Sequence, residues 1–361
     1  PNNGPNVGSN NNNGSNNNGF YFNQPYGGQP TTPKPTTNQP TTPNPTTKQP
    51  TPNPTPNPTT KQPTPNPTTS RPTPPPTPPP TPESTYTKFY LLADCPYDDN
   101  ERENLMPAYI RNLSPDADFL VHLGDLQYAK VDDCQEYAYR SAASILKKSP
   151  VPTFVLPGDN DINDCDDHEH GEYMWKKYFT KPDMNWGTKR HGFDVTRWGS
   201  LRESFSFVNK GVLYFGLNIV GGSPYSYSEK RERHREHLRY IRRIINNLDD
   251  DAYKVIVLFG HADPGSNHDD FFEGSNGFAA IVEELGKPTI HFHGDYHEWY
   301  EVEGDFDVDN YMRISLDGES INPPIVVEID VKRSNPIRVS RRRKELDVDC
   351  CRYGWPRNDE L

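Results

Sequence analysis

Cysteine is scarce in this chain. Its five residues, Cys95, Cys134, Cys165, Cys350 and Cys351, are too few for a disulfide-built scaffold and match no zinc-binding spacing. No run of about 18 apolar residues occurs, which excludes a transmembrane helix. An initiator methionine is missing too, so the sequence reads as a processed product or a fragment. Basic charge is in short supply: 38 Lys and Arg stand against 50 Asp and Glu, for a net charge of −12. The first 84 residues hold four basic side chains and one acidic, contributing +3, which leaves −15 for the remainder. A body that acidic offers no face for nucleic acid, whose phosphates are held by basic surfaces. An anionic ligand would need a metal.

Apolar residues are nearly absent from the first 84 positions, which hold 25 of the 39 prolines together with Thr, Asn, Gly and Gln. Such a segment cannot offset backbone ordering, about 1–2 kcal/mol per residue, and is expected to stay disordered. Residues 1–28 are Asn/Gly-rich; residues 29–84 carry an imperfect repeat of the type Pro-Thr-Thr-Lys-Gln-Pro-Thr-Pro-Asn-Pro. Polyproline II geometry makes this a semi-rigid spacer. Its Thr density beside Pro suits an O-glycosylated stalk in contact with a wall or matrix; an unmodified linker is the alternative. Sequons at Asn13 and Asn112 are compatible with secretion.

From Tyr86 onward strand and helix patterns alternate, as in an α/β domain with sheets covered by helices. Strands are expected over 88–93, 118–123, 151–156, 203–208, 212–220, 254–259, 289–293, 311–316 and 325–331. Helices are expected over 101–112, 133–148, 171–179, 228–248 and 277–286. The domain is bounded at 86–340, and the charged tail 341–361 is expected to be loose.

What is present in strength is one repeated device, an apolar strand that ends in a carboxylate or imidazole. Phe89-Tyr90-Leu91-Leu92-Ala93 runs into Asp94, and Phe119-Leu120-Val121-His122-Leu123-Gly124 into Asp125. Val151 to Leu156 precedes Gly158-Asp159, and Val255 to Phe259 precedes Gly260-His261. The last strand, Thr289-Ile290-His291-Phe292-His293, leads to Gly294-Asp295-Tyr296-His297. Open α/β sheets bind ligands beyond the carboxyl ends of their strands. Five strands each delivering an oxygen or nitrogen donor to one edge form the signature of a multi-metal site.

These five motifs, in this order and with these gaps, resemble the calcineurin-like metallophosphoesterase family over about residues 88–331. The resemblance implies a four-layer α/β/β/α sandwich in which a hydroxide bridging two metal ions cleaves phosphate esters. Carried over by position, Asp94, Asp125 and His297 hold the first metal, with Asp125 shared; Asp159, His261 and Asp295 hold the second. Gly124-Asp125-Leu126-Gln127-Tyr128 is similar to the purple acid phosphatases, in which that tyrosine binds ferric ion, so Tyr128 joins the ligand set. The chain departs from the family in three ways. Pro96 stands where the opening motif has His, two neutral ligands are replaced by Asp159 and Asp295, and Asn160 stands where the catalytic His belongs. The carboxylate-rich set favours Mn, Mg, Ca or Fe over Zn. The proton donor lost at Asn160 is to be replaced by His293, with His268 and His191 as alternatives. A Cys134–Cys165 disulfide is expected, because both residues leave neighbouring strands at the ligand edge; free thiols are the alternative.

The function expected is metal-dependent hydrolysis of a phosphorylated small molecule or other phosphoester. The alternative is a catalytically weak domain that binds a cation or phosphorylated ligand, displayed on the stalk. Localisation is expected to be secreted or in the cell wall; the terminal Asn-Asp-Glu-Leu leaves the secretory lumen as the alternative.

Overall fold

The structure is a computed structural model that describes residues 84–128, 134–186, 192–222, 224, 226–265, 268–318, 324–343 and 346–350, with side chains described as far as Arg341. Residues 1–83, which include Asn13 and all of the two N-terminal segments but Ser84, lie outside the described residues, as do His191 and residues 351–361.

Thirteen strands form two sheets among the described residues. The first has the order β13-β12-β11-β1-β2-β3 and the second β4-β5-β6-β7-β8-β10-β9. Strand β1 (Tyr86–Leu92) lies parallel to β2 (Phe119–His122), and β2 parallel to β3 (Thr153–Val155). In the second sheet β6 (Val212–Gly216), β7 (Val255–Phe259), β8 (Thr289–His293) and β10 (Tyr311–Ser315) run parallel. Strands β4 (Thr196–Arg197), β5 (Phe205–Asn209) and β9 (Tyr300–Glu303) are antiparallel additions at its two ends. The expected 203–208/212–220 hairpin is β5–β6, turning through Lys210-Gly211.

Aromatic side chains hold the sheets together. Phe89 of β1 stacks on Phe119 of β2 at 4.8 Å, and Phe119 meets Phe207 and Tyr214 of the opposite sheet edge-on at 5.5 and 5.1 Å. All four rings belong to one core cluster between the sheets. On the outer face of the first sheet lie α1 (Met106–Arg111), α2 (Glu136–Leu146) and α3 (His168–Phe179), packed through Met106, Ile110, Ala142 and Trp175. On the outer face of the second lie α4 (Tyr227–Asn246), α5 (Asp269–Phe272) and α6 (Phe278–Leu285), packed through Tyr240, Ile241, Phe271 and Phe278. The described residues therefore form the four-layer α/β/β/α sandwich that the resemblance implied.

Three differences from the sequence reading have physical causes. The helix expected over 101–112 splits into a π-helical turn, Glu101–Leu105, and α1, with Pro107 in the first turn of α1. Proline has no N–H for the preceding turn and is tolerated only where a helix begins. Helix α3 starts three residues earlier than expected, because the Asp167 side chain accepts a hydrogen bond from the His170 amide and caps it. Within the tail expected to be loose, residues 341–343 and 346–350 are strand. Strand β12 (Ile337–Arg343) pairs antiparallel with β11 (Ile325–Asp330), and β13 (Leu346–Cys350) pairs with β12, which carries the sheet past the 340 boundary. Ile337 and Val339 are buried while charged residues alternate with them, so an edge hairpin has the composition of a tail.

Candidate metal centre

Every proposed ligand follows the C-terminal end of a parallel strand. Asp94 lies two residues beyond β1, Asp125 three beyond β2, Asp159 four beyond β3, His261 two beyond β7, and Asp295 and His297 two and four beyond β8. The turns are tight. Asp94, Asp125, Asp295 and His297 have φ of 55°, 60°, 77° and 57°, in the left-handed region that costs a non-glycine residue on the order of 1–3 kcal/mol and concentrates at functional sites. Gly124 and Gly158 permit the loops to touch. A Cβ on Gly124 would meet the Gly158 amide nitrogen at 2.5 Å, and one on Gly158 would meet Asp125 Oδ1 at 2.0 Å.

Buried polar groups fix these loops. Asp161 accepts hydrogen bonds from the amides of Asp125 (3.0 Å), Leu126 (2.8 Å) and Gly158 (2.9 Å), which locks the second loop to the third. The Asp94 amide donates to the Gly124 carbonyl, and the Asp295 amide donates to Asp94 Oδ1 (3.1 Å). His122, fully buried, lies 2.8 Å from the Cys95 carbonyl through Nε2 and accepts from the Gly124 amide at Nδ1. Burial lowers its pKa to about 4, so the neutral ring can serve as donor and acceptor at once. The Cys134–Cys165 disulfide forms, with Cα atoms 5.7 Å apart, and closes the loop behind Asp159 and Asp161.

Asp125 divides its carboxylate between two groups of donors. Its Oδ1 lies 3.2 Å from His261 Nε2, which is itself 3.0 Å from Asp159 Oδ1. Its Oδ2 accepts from the hydroxyl of Tyr97 at 2.9 Å, and that hydroxyl is 3.0 Å from His297 Nε2. Candidate donor atoms of Asp94, Asp125 and His261 lie within 4.8 Å of one another, as do those of Asp159, His261 and Asp295. His297 Nε2 is 3.5 Å from Asp94 Oδ1, and His261 Nδ1 is held 3.2 Å from the Leu123 carbonyl, which leaves Nε2 for the cluster.

The electrostatics favour a cation. Asp94 is fully buried, and its Oδ2 has no hydrogen-bond partner among the described residues. Such an oxygen is costly unless a positive charge faces it. Burial, reinforced by Asp159 and Asp94, holds the Asp125 carboxyl well above the usual carboxylate range and lifts Asp295 to about 6. Burial disfavours charge on His261, yet Asp125 and Asp159 outweigh it and raise the imidazole well above its ordinary value. A divalent cation supplies that neutralisation with more charge, and an oxygen-rich donor set suits one.

The other expected residues divide. Asn160 sits at the site, with its amide donating to Asp125 Oδ1 (3.1 Å) and its side chain to the Tyr97 hydroxyl (3.4 Å). Tyr128 lines the same cavity, about 180 Å³, as Asp125, Asp159, Asn160, Asp164, Asp295 and His297, but is 52% exposed. His293 is a correction. It is 0% exposed, does not line that cavity, and lies with Nδ1 3.1 Å from the Gly294 carbonyl and Nε2 3.8 Å from Asp263; burial lowers it to about 4. Its neighbours Ile290 and Phe292 face the inter-sheet core, so strand alternation turns His291 and His293 to the helix side. His268 is likewise buried, against the Val220 carbonyl. Asn112 is exposed at the end of α1.

Tyr97 is the residue that strand patterning missed. It lies in the loop after Asp94, where no periodicity points to it, and the only signal was its place three positions after a ligand. A larger cavity of 840 Å³, between β4–β6 and α4, is lined by Trp198, Phe207 and Tyr240 and contains none of the proposed ligands, so the chemistry does not follow cavity size.

A family model described as calcineurin-like phosphoesterase matches residues 87–299. Among solved structures, TT1561 of Thermus thermophilus is 13% identical, covering 71% of this chain and 98% of that one, with a TM-score of 0.37. Vacuolar Protein Sorting 29 from Cryptosporidium parvum is 11% identical, covering 72% and 94%, with a TM-score of 0.28. No curated protein matches the chain at a significant level.

Proposed function

Because the chain belongs to the calcineurin-like phosphoesterase family, we propose that it hydrolyses phosphate esters with two divalent cations held at the strand-end cluster. Asp94, Asp125 Oδ2 and His297 would hold one; Asp125 Oδ1, Asp159, His261 and Asp295 would hold the other. The bound ions would activate a water and neutralise charge on the phosphoryl group. The observation that carries this reading is the divided carboxylate of Asp125 beside the unpartnered Asp94 Oδ2. The chain's own side chains position and orient. Asn160 can offer its side-chain amide to a phosphoryl oxygen, but it has no proton to give a leaving group, and His293 and His268 are buried away from the cavity. Esters whose alcohol leaves as a stable anion are therefore the preferred substrates. The disulfide and the stalk composition support a secreted protein.

The test is an assay of the full chain, stripped with chelator and repleted with Mn²⁺, on an aryl phosphate, a bis-aryl phosphate and an alkyl phosphate. Turnover is expected to require the metal and to favour an aryl ester over the alkyl one by about 10²-fold or more, the scale of a missing general acid. Metal uptake with no turnover of any ester would instead support a cation- or phosphate-binding domain displayed on the stalk.

A further inference from the structure

Pro96 carries no donor, yet the loop that it begins returns a polar atom to the cluster one residue later. The Tyr97 hydroxyl is 2.9 Å from Asp125 Oδ2 and 3.0 Å from His297 Nε2. Both of those atoms belong to the group proposed for the first cation, whose third member, Asp94, lies 3.5 Å from His297. In an octahedral shell with bonds of about 2.1 Å, adjacent donor atoms lie about 3.0 Å apart. The spacing around the Tyr97 oxygen has that dimension on two sides.

We propose that the phenol oxygen of Tyr97 is a direct ligand of the first cation, completing the set formed by Asp94, Asp125 and His297. This rests on the two-cation reading above. The surroundings hold the side chain in that place. The Tyr97 amide donates to Glu101 Oε2, Asn160 approaches the hydroxyl through its side-chain nitrogen at 3.4 Å, and the Tyr97 ring packs against His297 at 5.4 Å. Tyr128 is the weaker choice. Its ring meets Tyr97 edge-on at 5.5 Å and it is half exposed; among the described residues no hydrogen bond ties its hydroxyl to a carboxylate of the cluster. On coordination the phenol proton passes to solvent as the oxygen–metal bond forms. The site would then carry one more anionic oxygen than the strand-end residues supply, which favours a hard, highly charged ion.

The experiment loads chelator-stripped full-length wild type, Tyr97→Phe, Tyr97→His and Tyr128→Phe with Fe³⁺, then measures bound iron and the visible spectrum. A ferric–phenolate charge-transfer band is expected in wild type and Tyr128→Phe and is absent from both Tyr97 variants. In Tyr97→Phe the affinity of the first ion should fall tenfold or more, at least the loss typical of a residue one shell further out. Tyr97→His, which restores a donor, should bind iron more tightly than Tyr97→Phe without colour; near-ultraviolet circular dichroism separates ligand loss from misfolding. A band that survives in Tyr97→Phe and vanishes in Tyr128→Phe overturns the assignment. Iron bound to wild type with no phenolate band overturns it alone and leaves the two-cation reading standing. Failure of wild type to bind either Fe³⁺ or, in a parallel titration, Mn²⁺ removes both.

Discussion

Replacing Asp125 by asparagine is expected to release both cations and lower phosphoesterase activity by on the order of 10³-fold or more, equivalent to about 4 kcal/mol of transition-state stabilisation. The reason is that one carboxylate serves two donor groups. Oδ1 faces His261 and Oδ2 faces Tyr97 and, beyond it, His297. An amide keeps one oxygen, presents N–H to the other group and removes the negative charge from between the ions. The fold should survive. Asp125 is buried beside His261, whose charge attracts its own, and near Asp159, Asp94 and Asp161, whose charges repel it, so the lost attraction is offset by relieved repulsion and the metal-free variant should melt close to the metal-free wild type. Elemental analysis alongside thermal melting decides it: unchanged metal stoichiometry would show that the shared ligand lies elsewhere, and a collapsed melting temperature would make the carboxylate a structural group.

The largest stability effect is expected from Cys134→Ser. The disulfide joins residues 31 apart in sequence, and loop-closure entropy for such a span corresponds to about 3–4 kcal/mol. Cys165 sits between Asp159–Asp161 and α3, and both cysteine sulfurs pack near the Asn160 carbonyl, at 3.7 and 3.9 Å. Loosening this loop should therefore also weaken metal binding through Asp159. Urea unfolding without reductant should show the loss, and dithiothreitol should lower the wild type to the variant's midpoint while leaving the variant unchanged. Equal midpoints for oxidised wild type and variant would mean that the bond contributes nothing to stability.

Much of this architecture is legible in the sequence because parallel strands are buried on both faces. Near-continuous apolar runs such as Phe89–Leu92 and Val255–Phe259 mark them, and whatever follows such a run stands at the carboxyl edge of a sheet. That rule picks out Asp94, Asp125, Asp159, His261 and Asp295, whose candidate donor atoms the fold brings together in two groups. It does not specify which face of the sheet a strand residue takes, so by itself it does not separate His293 from the donors beyond the strand end. The parity of Ile290 and Phe292, both in the inter-sheet core, was the available signal against His293. Loop residues are harder. Tyr97 reaches the cluster through a turn whose shape depends on contacts with Glu101 and His297, and no period encodes those. The hairpin of β12 and β13 was obscured for the opposite reason: its polar positions are so charged that alternation with Ile337, Val339, Leu346 and Val348 reads as a solvated tail.

The proposed chemistry requires the strand-end donors to form a two-cation centre with a shared carboxylate. Titration of Mn²⁺ into the chelator-stripped full-length chain, followed by electron paramagnetic resonance, tests it without any choice of substrate. Two Mn²⁺ per chain are expected, with a spectrum showing magnetic coupling between them, as ions bridged by Asp125 require. Fewer than two bound ions, or two whose spectra are those of isolated Mn²⁺, would contradict it.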